Sequence, residues 1–347
     1  METLQAPFPY FGGKSRVALE VWRRFGDPEN YIEPFCGSCA VLLARPSEPK
    51  IETVNDMDGL LTNFWRAVRA EPDAVADLMN WPVNEIDLEA RHKWLCAQPA
   101  KDEFQNAMKN DPDLYDVKRA AWWCWGICQW IGAGWCAGEW FGEGRADNHG
   151  RGVCNGASKL PHLGDAGRGV HRKLPNLGDA GNGVHRKLPH LGNAGIGENE
   201  RRGEALRMWM KQISDRLRNV RICCGDWKRT CGSYTTTTLH GTCGVFLDPP
   251  YSKEAKRCDS LYRCEDLDVA HDVREWAIEH GRDPMMRIAL CGYEGEHRMP
   301  DDWKCVHWKA LGGYARRNLA NRFRERIWFS PHCIEIGDLL SQKTTER

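Results

Sequence analysis

The 347-residue sequence has no surplus of charge: Lys and Arg together number 48, and so do Asp and Glu. That balance excludes a protein that seeks polyanions with its whole surface, so any nucleic-acid site has to be a local patch. The opening METLQAPFPYFGGK has no basic stretch leading into an apolar one, so no secretion signal is read and a cytoplasmic protein is expected. A membrane layout is missing as well. The charge-free run AAWWCWGICQWIGAGWCAG (120–138) carries its tryptophans through the middle and is broken by glycines, which predicts a buried aromatic helix running into a loop. No disulfide framework is visible. The sixteen cysteines are scattered singly through apolar runs and read as reduced thiols. Cys36 and Cys39 form one CxxC with no second pair at zinc-ribbon spacing, so both read as small buried residues and no metal is expected. What is present is a 41% hydrophobic composition, enough to core one large domain or two, and a monomer is expected.

The order of elements points to a parallel α/β sheet. RVALEVWRRF (16–25) spaces Val17, Val21 and Phe25 as one helix face. YIEPFCGSCAVLLA gives a short strand, a glycine turn and a new apolar run. KIETVNDMDGLLTNFWRAVRA then predicts a strand ending at Asn55 and Asp56, followed by a helix with Leu60, Leu61, Phe64, Trp65 and Val68 on one side. Late in the chain NVRICCGDW (219–227), GVFLDPPY (244–251) and MRIALCGY (286–293) each read as a buried strand, with a helix between the last two.

Between these halves the texture changes, and three parts are expected: catalytic domain over 1–75, an inserted region over 76–204, and catalytic domain again over 205–347. The insertion is helical and polar, then aromatic, then rich in glycine, with a 14-residue repeat across 159–200 (KLPHLGDAGRGVHR, KLPNLGDAGNGVHR, KLPHLGNAGIGENE). Its repeated histidines, 162, 171, 185 and 190, follow from the duplication and are not read as metal ligands. From 159 to 232 there are 15 Lys or Arg against 7 Asp or Glu, a local basic excess. GGYARRNLANRFRERIWF (312–329) is a second basic stretch, read as a DNA patch or as a solvated helical face.

FLDPPY (246–251) carries the chemistry. A carboxylate at the C-terminal end of a parallel strand projects into the crevice where such sheets bind ligands. Pro249 and Pro250 lock two φ angles and leave rigid carbonyl acceptors beside Asp248, while Tyr251 offers a flat face. An acceptor pair beside a stacking platform suits a planar group with an NH₂ to donate, such as the exocyclic amine of a nucleobase. Upstream, Gly37 lies in a strand-to-helix turn where backbone can approach a ligand, and Asp56 ends a strand where it can meet ribose hydroxyls.

PYFGGK (9–14), EPFCGSCAVLL (33–43), NDMDGLLTNFWRAV (55–68), GDW (225–227), FLDPPY (246–251) and ALCGYEGEH (289–297) together resemble the motifs of the Dam-like, D12-class DNA adenine-N6 methyltransferases, in the alpha order. The resemblance covers roughly the first 70 and the last 145 residues. It implies a Rossmann-like, S-adenosylmethionine-dependent methyltransferase sheet with an inserted target-recognition region. It further implies that Tyr10 and Lys14, with Gly12, contact the cofactor and the catalytic pocket. Glu33, Phe35 and Gly37 would line the methionine side, Asp56 the ribose, and Asp226 and Trp227 the adenine of the cofactor. Asp248, Pro249, Pro250 and Tyr251 would receive the target base.

The implied reaction moves a methyl group to the N6 amine of an adenine flipped out of double-stranded DNA. Arg316, Arg317 and Arg322 are the candidate DNA contacts, and a cognate restriction endonuclease is admitted as a partner; such enzymes are common in bacteria and their phages. The competing readings are an N4-cytosine DNA methyltransferase using the same amine geometry, a noncatalytic DNA-binding protein of the same fold, and a protein-modifying methyltransferase.

Overall fold

The computed structural model describes residues 4–10, 13–97, 100–130, 135–136, 199–232, 234, 236–250, 269–308 and 324–336. Gly12, Tyr251, Arg316, Arg317 and Arg322 lie outside the described residues, as do the repeats up to residue 198.

Seven strands form one sheet: β1 (Asn30–Glu33), β2 (Ile51–Asp56), β3 (Arg221–Cys224), β4 (Cys243–Leu247), β5 (Met286–Tyr293), β6 (Lys304–His307) and β7 (Glu325–Phe329). Their spatial order is β3-β2-β1-β4-β5-β7-β6. The first five run parallel, and β7 runs antiparallel to both β5 and β6. The strand order reverses between β1 and β4, whose register pairs Asn30 with Cys243 and Ile32 with Val245. In an open parallel sheet the crevice at that reversal is where ligands bind. This is the Rossmann-like sheet that the motifs imply.

Because side chains alternate along a strand, each strand feeds two cores. Tyr31, Val54, Phe246, Ala289 and Phe329 enter one cluster; Ile32, Val245, Leu247, Ile288 and Trp328 enter the other. The first cluster is covered by α1 (Ala18–Phe25), α2 (Ala40–Leu43), α3 (Gly59–Ala70), α7 (Val117–Gln129) and α8 (Asn199–Leu217). The second is covered by α9 (Lys228–Cys231) and α10 (Val269–His280) through Cys231, Val273 and Ala277. The remaining helices are α4 (Pro72–Met79), α5 (Glu85–Cys96) and α6 (Ala100–Asn110).

The apolar run after residue 120 is helical to Gln129, and no helix among the described residues is long and apolar enough to cross a membrane. Trp123, Trp125, Trp130 and Trp135 are buried in the same core as the sheet. Trp123 meets Phe8 edge-on at 5.0 Å and lies 5.9 Å from Phe64 of α3, joining the helical region to the N-terminal segment. The cysteines among the described residues form no disulfides.

Two readings of charge change. The stretch 312–329 is not a solvated helical face at its end: residues 325–329 are the buried strand β7, and Glu325 and Arg326 are themselves buried. Arg326 pairs with Glu294 at 2.9 Å, so it is internal to the protein rather than part of a DNA patch. The cations counted over 159–232 are also partly spoken for. Arg216 of α8 holds the buried Glu52 of β2 through both carboxylate oxygens at 2.6 and 2.8 Å. Arg207 pairs with Asp77, and Lys228 with Asp272.

Removing the Trp123 side chain opens a cavity that the rigid neighbouring rings cannot close. Trp123→Ala is expected to lower folding stability by about 3–5 kcal/mol, read as a fall in the denaturant midpoint with an unchanged m-value.

Candidate active site

The C-terminal ends of four parallel strands deliver acidic side chains to one edge of the sheet. β1 ends in Glu33, β2 in Asp56, β3 runs into Gly225 and Asp226, and β4 into Asp248. All of them line one cleft of about 960 Å³, counting its open mouth, together with Tyr10, Lys14, Phe35, Gly37, Trp227 and Pro250.

Lys14 and Asp248 form the innermost contact. The Lys14 backbone carbonyl accepts from the N–H groups of Val17 and Ala18, so the turn that starts α1 also anchors the lysine. Its ammonium donates to Asp248 Oδ2 at 2.7 Å, across 234 residues of sequence. Lys14 is buried, whereas Asp248 keeps a fifth of its side chain open to the cleft. Burial alone would pull the lysine toward its neutral form. The carboxylates of Asp248 and Glu325 outweigh it, and the ammonium is held charged well beyond its ordinary range. The ring of Trp308 lies 5.8 Å from the same ammonium. Asp248 thus reaches the cleft with its orientation set by a fixed cation.

Glu33 has the opposite environment. It is buried, and its Oε2 accepts from the Tyr31 hydroxyl at 2.9 Å and the Leu42 N–H at 3.2 Å. These bonds favour the carboxylate, but burial dominates, with Asp248 and Glu52 adding repulsion, and the pKa rises to about 8. Near neutral pH, Glu33 is a largely protonated acid in the wall of the cleft. A cation placed beside it would favour its ionised form.

The loop between β1 and α2 is shaped by close approach. Gly37 has φ +44°, and a Cβ there would come within 2.7 Å of the Tyr10 ring. Only glycine fits both the backbone and the ring. Asp56 holds this loop from below, accepting from Gly37 N–H at 3.1 Å through Oδ2 and from Asp58 N–H at 2.9 Å through Oδ1. The Trp65 indole donates to the Gly37 carbonyl at 3.0 Å. Asp58 caps α3 by accepting from Leu60 and Leu61. Cys39 also takes a left-handed conformation, φ 50°, at the head of α2.

At the other end of the cleft, the Phe35 and Trp227 rings lie 6.2 Å apart at 34° to one another. Asp226 is exposed and accepts from Lys228 N–H at 2.7 Å. This end is an aromatic slot with a carboxylate at its lip.

Of the residues singled out from sequence, Tyr10, Lys14, Glu33, Phe35, Gly37, Asp56, Asp226, Trp227, Asp248 and Pro250 line the cleft, while Pro249 is buried and is not among its lining residues. Sequence reasoning passed over Glu325, which faces Lys14 from β7. No local signal marks it, because its partner comes from the other end of the chain. Met57 and Asp58 also line the cleft; the spacing of Asp58 before an apolar helix is a cap signature that could have found it.

Residues 10–110 match the family described as D12 class N6 adenine-specific DNA methyltransferase. The chain therefore carries an adenine-specific DNA methyltransferase domain and is an enzyme acting on DNA. The match covers Tyr10, Lys14, Glu33, Gly37 and Asp56 and stops short of Asp248. No curated protein matches the chain.

The Glu33 environment has a direct consequence for stability. The side chain has an ordinary pKa of 4.5 and a folded value of about 8. Between the two, the folded state binds more protons than the unfolded one, so stability falls as pH rises through that window. Glu33→Gln removes the effect. The variant's melting temperature relative to the parent is expected to rise from about pH 5 to about pH 8; thermal melts at the two values check this.

Proposed function

We propose that this D12-class adenine-N6 DNA methyltransferase binds S-adenosylmethionine in the cleft at the β1–β4 reversal and methylates an adenine held by Asp248. The carrying observation is that a carboxylate with a fixed orientation, Asp248 on Lys14, opens into the same cleft as Glu33 and Asp56. The enzyme would be a cytoplasmic monomer acting on double-stranded DNA, with or without a cognate endonuclease.

The residues present suit the cofactor. A buried acid whose ionised form awaits a positive neighbour, Glu33, fits a ligand carrying both an ammonium and a sulfonium group. Asp56 is pinned by two backbone N–H groups at the end of β2, where ribose hydroxyls can meet it. Phe35 and Trp227 offer apolar faces to an adenine ring, with Asp226 at the edge to accept from its amine. When bound, S-adenosylmethionine supplies a methyl group made electrophilic by the sulfonium.

On the substrate side, Asp248 accepts one N–H of the target amine and the Pro249 carbonyl accepts the other. Both bonds favour a pyramidal nitrogen with its lone pair available. Lys14 positions Asp248 for this task. Tyr251 stacks on the flipped base, whose extrusion costs a few kcal/mol. Positioning of the amine by Asp248 and the Pro249 carbonyl would provide most of the acceleration. Arg316, Arg317 and Arg322 bind DNA phosphates, and the region 76–204 reads the target sequence.

Two outcomes test this reading. Expression in a methylation-free bacterium should produce N6-methyladenine at one short motif across the genome. Asp248→Ala should lower methyl transfer about 10²–10³-fold, with cofactor affinity changed only a few-fold. New methylcytosine, or full activity in Asp248→Ala, would overturn it. Cofactor affinity also carries a pH signature. The ligand favours ionised Glu33, so titration calorimetry should find binding tightening as pH rises toward about 8, and a flat profile in Glu33→Gln.

A further inference from the structure

A cluster of soft metal ligands lies away from the cleft, in the helical region. His92 and Cys96 are four residues apart on α5, one turn along the same face. Cys136 approaches them from beyond the end of α7. The ligand atoms of the three all lie within 4.8 Å of one another, and Cys96 Sγ is 3.8 Å from His92 Nε2. A tetrahedral zinc ion with Zn–S of about 2.3 Å and Zn–N of about 2.0 Å sets its ligand atoms roughly 3.5–3.8 Å apart.

The surroundings hold these groups in place. The His92 imidazole stacks on Trp130 at 4.9 Å and 11°, and lies 5.0 Å from Trp135. The Trp135 indole donates to the Trp123 carbonyl at 3.0 Å and fits against Gly126 so closely that no Cβ could be added there. Next to it, Cys136 has φ 58°, a left-handed conformation that few non-glycine residues adopt. Its thiol lies beside His92 and Cys96. His92 and Cys136 are buried, and Cys96 is partly open.

We propose that His92, Cys96 and Cys136 bind a structural zinc ion that ties α5 to the segment following α7. The donor set, one imidazole and two thiolates, is soft and matches zinc better than magnesium or calcium. Both cysteines bind as thiolates, any thiol proton still held is released, and no redox partner is needed. Three protein ligands leave a fourth position for water or another donor. The ion would fasten the helical region to the packed tryptophans that connect it with the catalytic sheet. Methyl transfer needs no chemistry from it.

The test uses the full chain, purified without chelator and dialysed against zinc. Elemental analysis should find one zinc per chain in the parent and in the control Cys305→Ser, and almost none in Cys96→Ser or Cys136→Ser. Cys96→His, which restores a ligand, should retain the metal. Replacing zinc by cobalt should give a thiolate-to-cobalt charge-transfer band that Cys136→Ser abolishes. The band is read on the folded parent, so a variant that misfolds does not remove the test. Zinc well below one per chain, a cobalt spectrum without thiolate character, or a Cys96–Cys136 disulfide in non-reduced peptide maps would overturn the assignment.

Discussion

The molecule depends on the parallel pairing of β1 with β4. Neither strand has a local reason to choose the other, because the elements from α2 to α9 intervene in sequence. What brings them together is burial: both strands are buried on both faces, with apolar residues of each feeding the core, and helices cover them on each side. Once paired in the register Asn30–Cys243, they carry Glu33 and Asp248 to the same end of the sheet. Burial raises the pKa of Glu33, and the nearby Asp248 carboxylate adds to the rise.

Gathering carboxylates at one edge of a sheet is costly unless each is answered, and each is answered differently. Asp248 is met by an ammonium, Asp56 by two backbone N–H groups, and Glu33 by a hydroxyl and one N–H that leave burial in control. Three acids on neighbouring strands thus differ in character because of what surrounds them. Asp248 and Asp56 are ready acceptors. Glu33 waits for positive charge. A ligand with a cationic end and a hydroxylated ring would meet these demands in sequence along the cleft.

Much of this was legible in the residues. Strand ends at Asp56 and Asp248, the glycine turn at Gly37 and the helix face of Leu60, Leu61, Phe64 and Trp65 are local signals, and the fold expresses them locally. The harder features are long-range. β7 reads as a charged stretch because Glu325 and Arg326 are written as if for solvent. Their partners, Lys14 and Glu294, come from distant segments and make burial tolerable. β6 is too short and mixed, KCVH, to announce itself without the neighbour it pairs with. The His92 cluster was hidden for the same reason. An i, i+4 pair of His and Cys is unremarkable until a turn beyond the next helix but one supplies a third ligand.

The 234-residue span between Lys14 and Asp248 also governs how the enzyme comes into being. On a ribosome adding about 5–20 residues per second, the lysine exists for roughly 10 to 50 s before its partner is made. Through that interval the outer edge of β1 has no β4 to cover it, and a bare strand edge invites pairing with another chain. A nascent polypeptide of this design is therefore most exposed to aggregation while β1 and β2 await their later partners, and it gains catalytic competence only once Asp248 has been made.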